Sequence, residues 1–296
     1  MLSRPLQQYI SEFNPESVGN INSYVTLPRE WPKNWSCVAG DMGGTHFRIA
    51  RVDFDSEGNA SVSGFKDYPM PGSQGEVSCD DLFSFYEEQK KSFGLKDSAL
   101  CFSYPSEIFP DGSAKILRLT KNIKLTGAVG YIINESVIND TVAVLLGSKG
   151  ANMGMVLGTG FNLAYVKEGK VIDAECGIYE GFKTEDFDFG PIAEMQVGGT
   201  YLNPLIEKMK GIVSREDLVD RAAKVVAGEI YALAKYADYK AINLAVEGTT
   251  YYRLEGLRDN IEKYCAQLMD NITFLDGRDT TLIGAAVALY ERRYKK

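Results

Sequence analysis

Twice along this chain a short apolar run meets a glycine turn and resumes as a strand, a recurrence that restricts the fold more than any other feature. The first copy is Cys37-Val38-Ala39-Gly40-Asp41, then Met42-Gly43-Gly44-Thr45. After it Phe47, Ile49 and Arg51 alternate with Arg48, Ala50 and Val52 at the period of a strand. The second copy is Met155-Val156-Leu157, then Gly158-Thr159-Gly160, then Phe161 to Val166, closed by a turn at Lys167-Glu168-Gly169-Lys170. One unit in each half fits two related α/β lobes; it also fits two unrelated hairpins, because glycine turns between strands are common.

Around these units the chain alternates strands with helices. Ala99 to Phe102 and Val137-Ile138 read as buried strands. Ser214-Arg215-Glu216-Asp217 reads as a helix start, and Leu218, Ala222, Val225, Val226 and Leu233 then mark one face at helical spacing. Leu257, Ile261, Tyr264 and Leu268 mark a second helix, and a last one runs through Ala285, Ala286 and Leu289. Residues 1–35 read as a helical or irregular lead-in that ends at Trp31-Pro32-Lys33-Asn34-Trp35. This alternation predicts α/β layering.

Composition narrows the chemistry. The chain of 296 residues has one histidine, His46, so mechanisms needing a histidine pair are excluded and carboxylates, hydroxyls, backbone and cations must carry the work. A formal charge of -8 argues against a nucleic-acid partner, though not against phosphate ligands held by local cations and backbone N–H groups. The five cysteines are scattered and form no C-x-x-C pair, which predicts reduced thiols in a cytoplasmic protein, with Cys37 and Cys101 as small core residues. The sequence presents no signal-like or membrane-length apolar stretch, so a soluble chain without membrane contact is expected.

Four places carry more than structural meaning. At Asp41 to Arg48 the glycines let phosphate oxygens approach the backbone, Thr45 adds a donor, and Asp41 can face a bound Mg²⁺; glycine is also what a tight turn needs. No G-K-[ST] follows, so this is not a Walker A loop. At Asn139-Asp140-Thr141 a strand passes into a helix. Asp140 there is either a helix cap or a carboxylate at the carboxyl end of a strand, where open α/β sheets bind ligands. Gly158-Thr159-Gly160-Phe161-Asn162 is a second phosphate-like turn. Glu180 and Glu194 flank an acidic, aromatic loop (Glu185, Asp186, Phe187, Asp188, Phe189), which is either a solvated loop or part of a site whose glutamates hold sugar hydroxyls.

The order of these segments strongly resembles the hexokinase family from about residue 37 to 290. Asp41-Met-Gly-Gly-Thr-His-Phe-Arg48 is similar to the family's first phosphate motif. Phe102-Ser103-Tyr104-Pro105 with Thr120-Lys121 resembles its sugar-binding segment, and Ile138-Asn139-Asp140-Thr141-Val142 its catalytic segment. Leu157 to Asn162 resembles the second phosphate motif. Glu180-Gly181-Phe182, and Glu194 before Gly199-Thr200-Tyr201-Leu202, resemble the two sugar-binding glutamate segments. Glu247-Gly248-Thr249 resembles the adenosine motif and Gly284-Ala285-Ala286 the closing helix start. Three departures stand out: His46 replaces the usual Asn, Thr280-Thr281-Leu282-Ile283 replaces a segment that carries a lysine, and the chain is shorter than the usual catalytic unit.

The resemblance implies two ribonuclease-H-like lobes of the actin-like ATPase type with a cleft between them. Residues 1–35 would be the lead-in, 36–138 with the helix 285–296 the small lobe, and 139–284 the large lobe. It implies a kinase that transfers the ATP γ-phosphoryl group to a hexose primary hydroxyl, with ATP and Mg²⁺ required and Asp140 as general base. Ser103, Thr120, Lys121, Asn139, Asp140, Asn162, Glu180 and Glu194 would surround the sugar. Asp41, Gly43, Gly44, Thr45, Arg48, Thr159, Gly160, Gly248 and Thr249 would surround Mg-ATP, with Asp41 facing the metal. Lys121 would bond sugar oxygens and keep Asp140 ionised. The alternatives are an actin-like ATPase, a kinase of another sugar such as an amino sugar, and a sugar-binding sensor without turnover. The oligomeric state is open.

Overall fold

The computed structural model describes residues 4–119, 123–182 and 190–294, so Thr120, Lys121 and the loop from Glu185 to Phe189 lie outside the described residues. In chain order come α1 (Leu6–Glu12), β1 (Ile21–Thr26), the hairpin β2 (Trp35–Met42) and β3 (His46–Phe54), and β4 (Ala60–Pro69). Then follow α2 (Cys79–Lys91), β5 (Ser98–Phe102), β6 (Ser136–Ile138) and α3 (Asp140–Gly147). Next are β7 (Met153–Leu157), β8 (Phe161–Lys167), β9 (Lys170–Asp173), α4 (Ala193–Val197), α5 (Gly199–Lys208) and α6 (Arg215–Tyr236). The chain ends with β10 (Ile242–Glu247), α7 (Thr249–Arg253), α8 (Leu257–Leu268), β11 (Ile272–Asp276) and α9 (Thr281–Tyr294).

The recurrence seen in the sequence is a recurrence of topology. One sheet has the order β6-β5-β2-β3-β4, the other β1-β9-β8-β7-β10-β11. In the first, β2 pairs antiparallel with β3 and parallel with β5; in the second, β7 pairs antiparallel with β8 and parallel with β10. Each glycine turn therefore joins the central strand of a sheet to its antiparallel neighbour. The same strand order is built twice, which selects two related α/β units over two unrelated hairpins.

The chain divides into two compact units. One comprises Met1–Ile21, Gly150–Glu168 and Ile172–Arg278; the other comprises Asn22–Lys149, Gly169–Val171 and Asp279–Lys296. This differs from the expected division at residue 139, and glycine packing gives the reason. A methyl added at Gly284 in α9 would sit 1.8 Å from the Ala143 carbonyl oxygen in α3, and one at Gly147 would sit 2.1 Å from that of Thr280. The two helices approach backbone to backbone, so α3 belongs with α9 and its sheet. The lead-in contains the expected helix, α1, and also a sheet strand, β1, that the sequence did not indicate.

Each unit has its own core. Val38, Phe47, Ile49, Leu82, Tyr86 and Leu100 fill the second unit, and Tyr9, Leu157, Tyr165, Val226, Ile230 and Leu244 fill the first. The helix stripes are core as predicted: Ser214 caps α6 by accepting from the Asp217 N–H at 3.0 Å, and Leu218, Ala222, Val225, Val226 and Leu233 are buried. All five cysteines are free and buried. Among the described residues no helix is long and apolar enough to cross a membrane.

One core residue breaks the pattern. Glu229 in α6 is 0% exposed, and among the described residues the Cys176 thiol is the polar group that acts on its carboxyl. Burial raises its pKa well above the ordinary glutamate value of 4.5, so the folded protein holds this proton where the unfolded chain has lost it. Stability must then fall as pH rises above about 4.5, by about 1.4 kcal/mol per pH unit until the folded group ionises. Glu229→Gln removes that slope. Urea unfolding between pH 4 and 7 should show the variant gaining on the parent as pH rises; parallel curves would show that the carboxyl is not held neutral.

Candidate active site

In the second unit three parallel strands end side by side, which is where an open α/β sheet presents ligand-binding groups. Asp41 on β2 is in register with Cys101 on β5, and Cys101 with Ile138 on β6. Just past this row, Gly43 follows the end of β2, Ser103 follows the end of β5, and Asp140 opens α3 with only Asn139 between it and β6. The Ser103 N–H donates to the Met42 carbonyl at 3.1 Å, and the Tyr104 hydroxyl donates to the Gly43 carbonyl at 2.8 Å. The Gly43 N–H donates to the His46 carbonyl at 2.9 Å, closing the first glycine turn beside this row.

Asp140 has two roles open to it from sequence, and local bonding separates them. Asn139 is the helix cap: its Oδ1 accepts from the Thr141 N–H at 2.8 Å and from the Thr141 hydroxyl at 2.5 Å. Asp140 is the first residue of α3, half-buried, with Oδ1 accepting from the Thr141 N–H at 2.8 Å. The cap thus does not depend on Asp140. Its carboxylate stands at the amino end of a helix, a place that favours negative charge.

Asp41 is 7% exposed, and its Oδ2 accepts from the Thr281 hydroxyl at 2.9 Å. Arg48, its cross-strand partner, brings a guanidinium nitrogen to 3.8 Å of the same oxygen. Burial raises the Asp41 carboxyl above the ordinary range and the Asp140 charge adds to the rise, while Thr281 and Arg48 oppose it. Two carboxylates sensing each other at the end of a sheet suit a divalent cation. Mg²⁺ retains water and takes one or two carboxylates together with substrate phosphates, so Asp41 fits the part without a larger cage. Among the described residues no group of three or more His, Cys, Asp and Glu forms such a cage. His46 is exposed, and its Nδ1 lies 2.9 Å from Asp67 Oδ1 on β4.

In the first unit, segments distant in sequence meet at the second glycine turn. The Gly158 N–H donates to the Gly160 carbonyl at 3.0 Å, the Gly199 N–H to the Gly158 carbonyl at 2.8 Å, and the Thr200 N–H to the Thr159 carbonyl at 3.1 Å. The Thr250 hydroxyl also reaches the Gly158 carbonyl, at 2.6 Å. Gly248 has φ 126°, and a methyl there would lie 2.3 Å from the Leu157 carbonyl group, so only glycine brings Thr249 to this turn. Thr159 and Thr249 are exposed.

Asn162 lies just past the turn. Its Nδ2 donates to Asp173 Oδ1 at 2.8 Å, and its Oδ1 accepts from the Cys176 N–H at 3.2 Å. A methyl on Gly160 would lie 2.4 Å from Glu194 Oε1, and one on Gly177 would lie 2.2 Å from the Phe161 carbonyl oxygen and 3.4 Å from Glu194 Cβ. Asn162, Glu194 and the 173–177 segment therefore form one cluster. Glu180 is exposed, between Tyr179 and Phe182, whose rings pack on Phe13 just after α1.

Two residues of this arrangement escape a reading by motif. Thr281 holds Asp41 from 240 positions away, and no local pattern announces that. Glu175 sits half-buried beside the Asn162 network with φ 49°, its N–H donating to Asp173 Oδ1 at 3.3 Å. A non-glycine residue held there is strained, and such strain gathers at functional sites.

Two sequence profiles, both described as hexokinase, match residues 3–149 and 196–290. The hexokinase of Schistosoma mansoni is 25% identical over 60% of this chain and 46% of its own length. Hexokinase-1 of Rattus norvegicus is 23% identical over 96% of this chain and 38% of its own. The chain thus spans less than half the length of these relatives. In structure it is similar to Schistosoma mansoni hexokinase complexed with glucose, with TM-score 0.79 and 18% identity over 97% of this chain and 96% of that one. A ROK-family glucokinase from Streptomyces griseus, in complex with glucose and AMPPNP, gives TM-score 0.58 and 16% identity over 85% and 98%.

Proposed function

Since the chain belongs to the hexokinase family, we propose that it is an ATP-dependent hexose kinase with Asp140 as its general base. The observation that carries this is that Ser103 and Asp140 stand just past the ends of neighbouring parallel strands, next to the strand that runs into the first glycine turn, with Asn139 relieving Asp140 of the cap. The solved relatives that hold glucose, one of them with AMPPNP as well, support a sugar and a nucleotide as the ligands.

Asp140 takes the proton from the sugar's primary hydroxyl as that oxygen bonds to the γ-phosphorus, and the bond to the β-bridging oxygen breaks to release ADP. Positioning and charge stabilisation carry most of the rate in such a transfer, and the base adds about 10²–10⁴-fold. The Asn139 Oδ1 is committed to the cap, so its amide nitrogen is the group left for a sugar oxygen. Gly43 to Thr45 and Thr159-Gly160 supply backbone donors for the phosphates, with Gly248 and Thr249 toward the nucleoside. Arg48 offsets the Asp41 charge. Asp41 would hold a Mg²⁺ ion, which would supply charge neutralisation to the phosphates. Thr120 and Lys121 join the sugar contacts by their place in the motif. We place the enzyme in the cytoplasm, acting on small molecules rather than on nucleic acid or membrane.

Acceptor choice tests the reading. Glutamates and asparagines suit a neutral polyol, and a site built of hydrogen-bonding groups rejects an analogue that leaves them unpaired. With Mg-ATP, glucose or mannose should give the highest kcat/KM among glucose, mannose, fructose, N-acetylglucosamine, glycerol and acetate. Preference for glycerol or acetate would sink the assignment, one for N-acetylglucosamine would favour the amino-sugar kinase, and sugar binding without ADP release would favour the sensor.

A further inference from the structure

We infer that the stretch from Phe13 to Asn20 is a positioning element for Glu175, with Gly19 as its point of contact, an inference that rests on the kinase reading for its consequence but not for its geometry. This stretch frames the segment that carries Glu175 from both ends. At one end the Phe13 ring packs on Tyr179 at 4.8 Å and on Phe182 at 6.0 Å, and the Asn14 N–H donates to the Tyr179 hydroxyl at 3.1 Å. At the other the Asn20 N–H donates to the Ala174 carbonyl at 3.2 Å.

Asn20 is itself pinned. Its Nδ2 donates to the Pro15 carbonyl at 2.8 Å and its Oδ1 accepts from the Tyr165 hydroxyl at 2.9 Å, with φ 44°. Between these anchors Gly19 lies so close to Glu175 that an added methyl would be 2.7 Å from Glu175 Cβ and 3.4 Å from the Ala174 carbonyl oxygen. The contact is with the root of the glutamate side chain, which cannot swing aside without moving its backbone. That backbone already sits at φ 49° and is tied to Asp173 and, through Cys176, to Asn162. Gly19 has no positive φ of its own and is exposed, so alanine there strains nothing at position 19 and acts only by pushing on Glu175.

Gly19→Ala is therefore the probe, with Gly75→Ala, whose methyl would meet nothing within 4 Å, as control. Glu175 shares a cluster with Asn162 and Glu194, which the kinase reading places at the sugar, and a displacement of about 1 Å in such a group can cost up to 10²-fold. For Gly19→Ala we expect the hexose KM to rise about tenfold with the ATP KM within about twofold, and amide exchange at Asn20 and Cys176 to quicken while the β2–β3 hairpin is unchanged. An unchanged hexose KM, or equal rises for sugar and ATP, would overturn the inference. If the parent protein releases no ADP with any hexose, the kinase reading fails on its own. Exchange then still decides the positioning: quickened exchange confined to Asn20 and 174–176 supports it, and an unaltered pattern overturns it.

Discussion

Asp140→Asn should lower kcat for hexose phosphorylation by about 10² or more while hexose binding changes little. The amide occupies the same volume and still bonds a sugar hydroxyl, but it cannot take the proton as the oxygen attacks. The fold should survive the change. Asn139 caps α3 through the Thr141 N–H and hydroxyl, so the helix loses only a favourable charge in its first turn, worth about 0.3–1 kcal/mol. Activity and stability are therefore separable here. A variant with near-normal turnover and slightly lower stability would reduce Asp140 to a first-turn acid. There is also a readout free of turnover: removing the Asp140 charge takes away one influence that raises the Asp41 carboxyl, so Asp41 should titrate lower in the variant.

What could be read from the residues is what short-range physics fixes. The two glycine turns, the buried strands ending at Phe102 and Ile138, and the Ser214 cap with its apolar stripe depend on neighbours within a few positions, and the structure has them where the pattern puts them. Strand β1 was not legible because only Ser23 and Val25 of Ile21–Thr26 are buried, too little for an alternation to register. The place of α3 depends on how closely it meets α9, which rests on Gly147 and Gly284, 137 positions apart. The grip of Thr281 on Asp41 is likewise a product of tertiary approach. Residues from four segments (158–160, 199–200, 248–250 and 194) do converge on the second turn, but their letters alone say only that each begins or follows a tight bend.

The same limit governs the carboxylates of the first unit, and it sets the second large effect. Glu175→Gln should lower kcat/KM for hexose by about 10², the scale expected when a charged partner of a bound hydroxyl is lost, while Glu180→Gln should stay within about threefold. By motif, Glu180 and Glu194 are the pair. By geometry, the residue that shares a cluster with Asn162 and Glu194 is Glu175: its neighbour Cys176 donates to Asn162, and Gly177 packs on Phe161 and against Glu194. Glu180 is exposed in a stretch whose rings pack on Phe13. The signal that separates them is the φ of 49° at Glu175, a backbone state that a glutamate's letter does not reveal. Both substitutions remove one charge and keep the side chain's size, so a general electrostatic effect would act on them alike. If Glu180→Gln proved the more damaging, the motif would have been the better guide, and the strained backbone at Glu175 would belong to the turn after β9 rather than to the sugar.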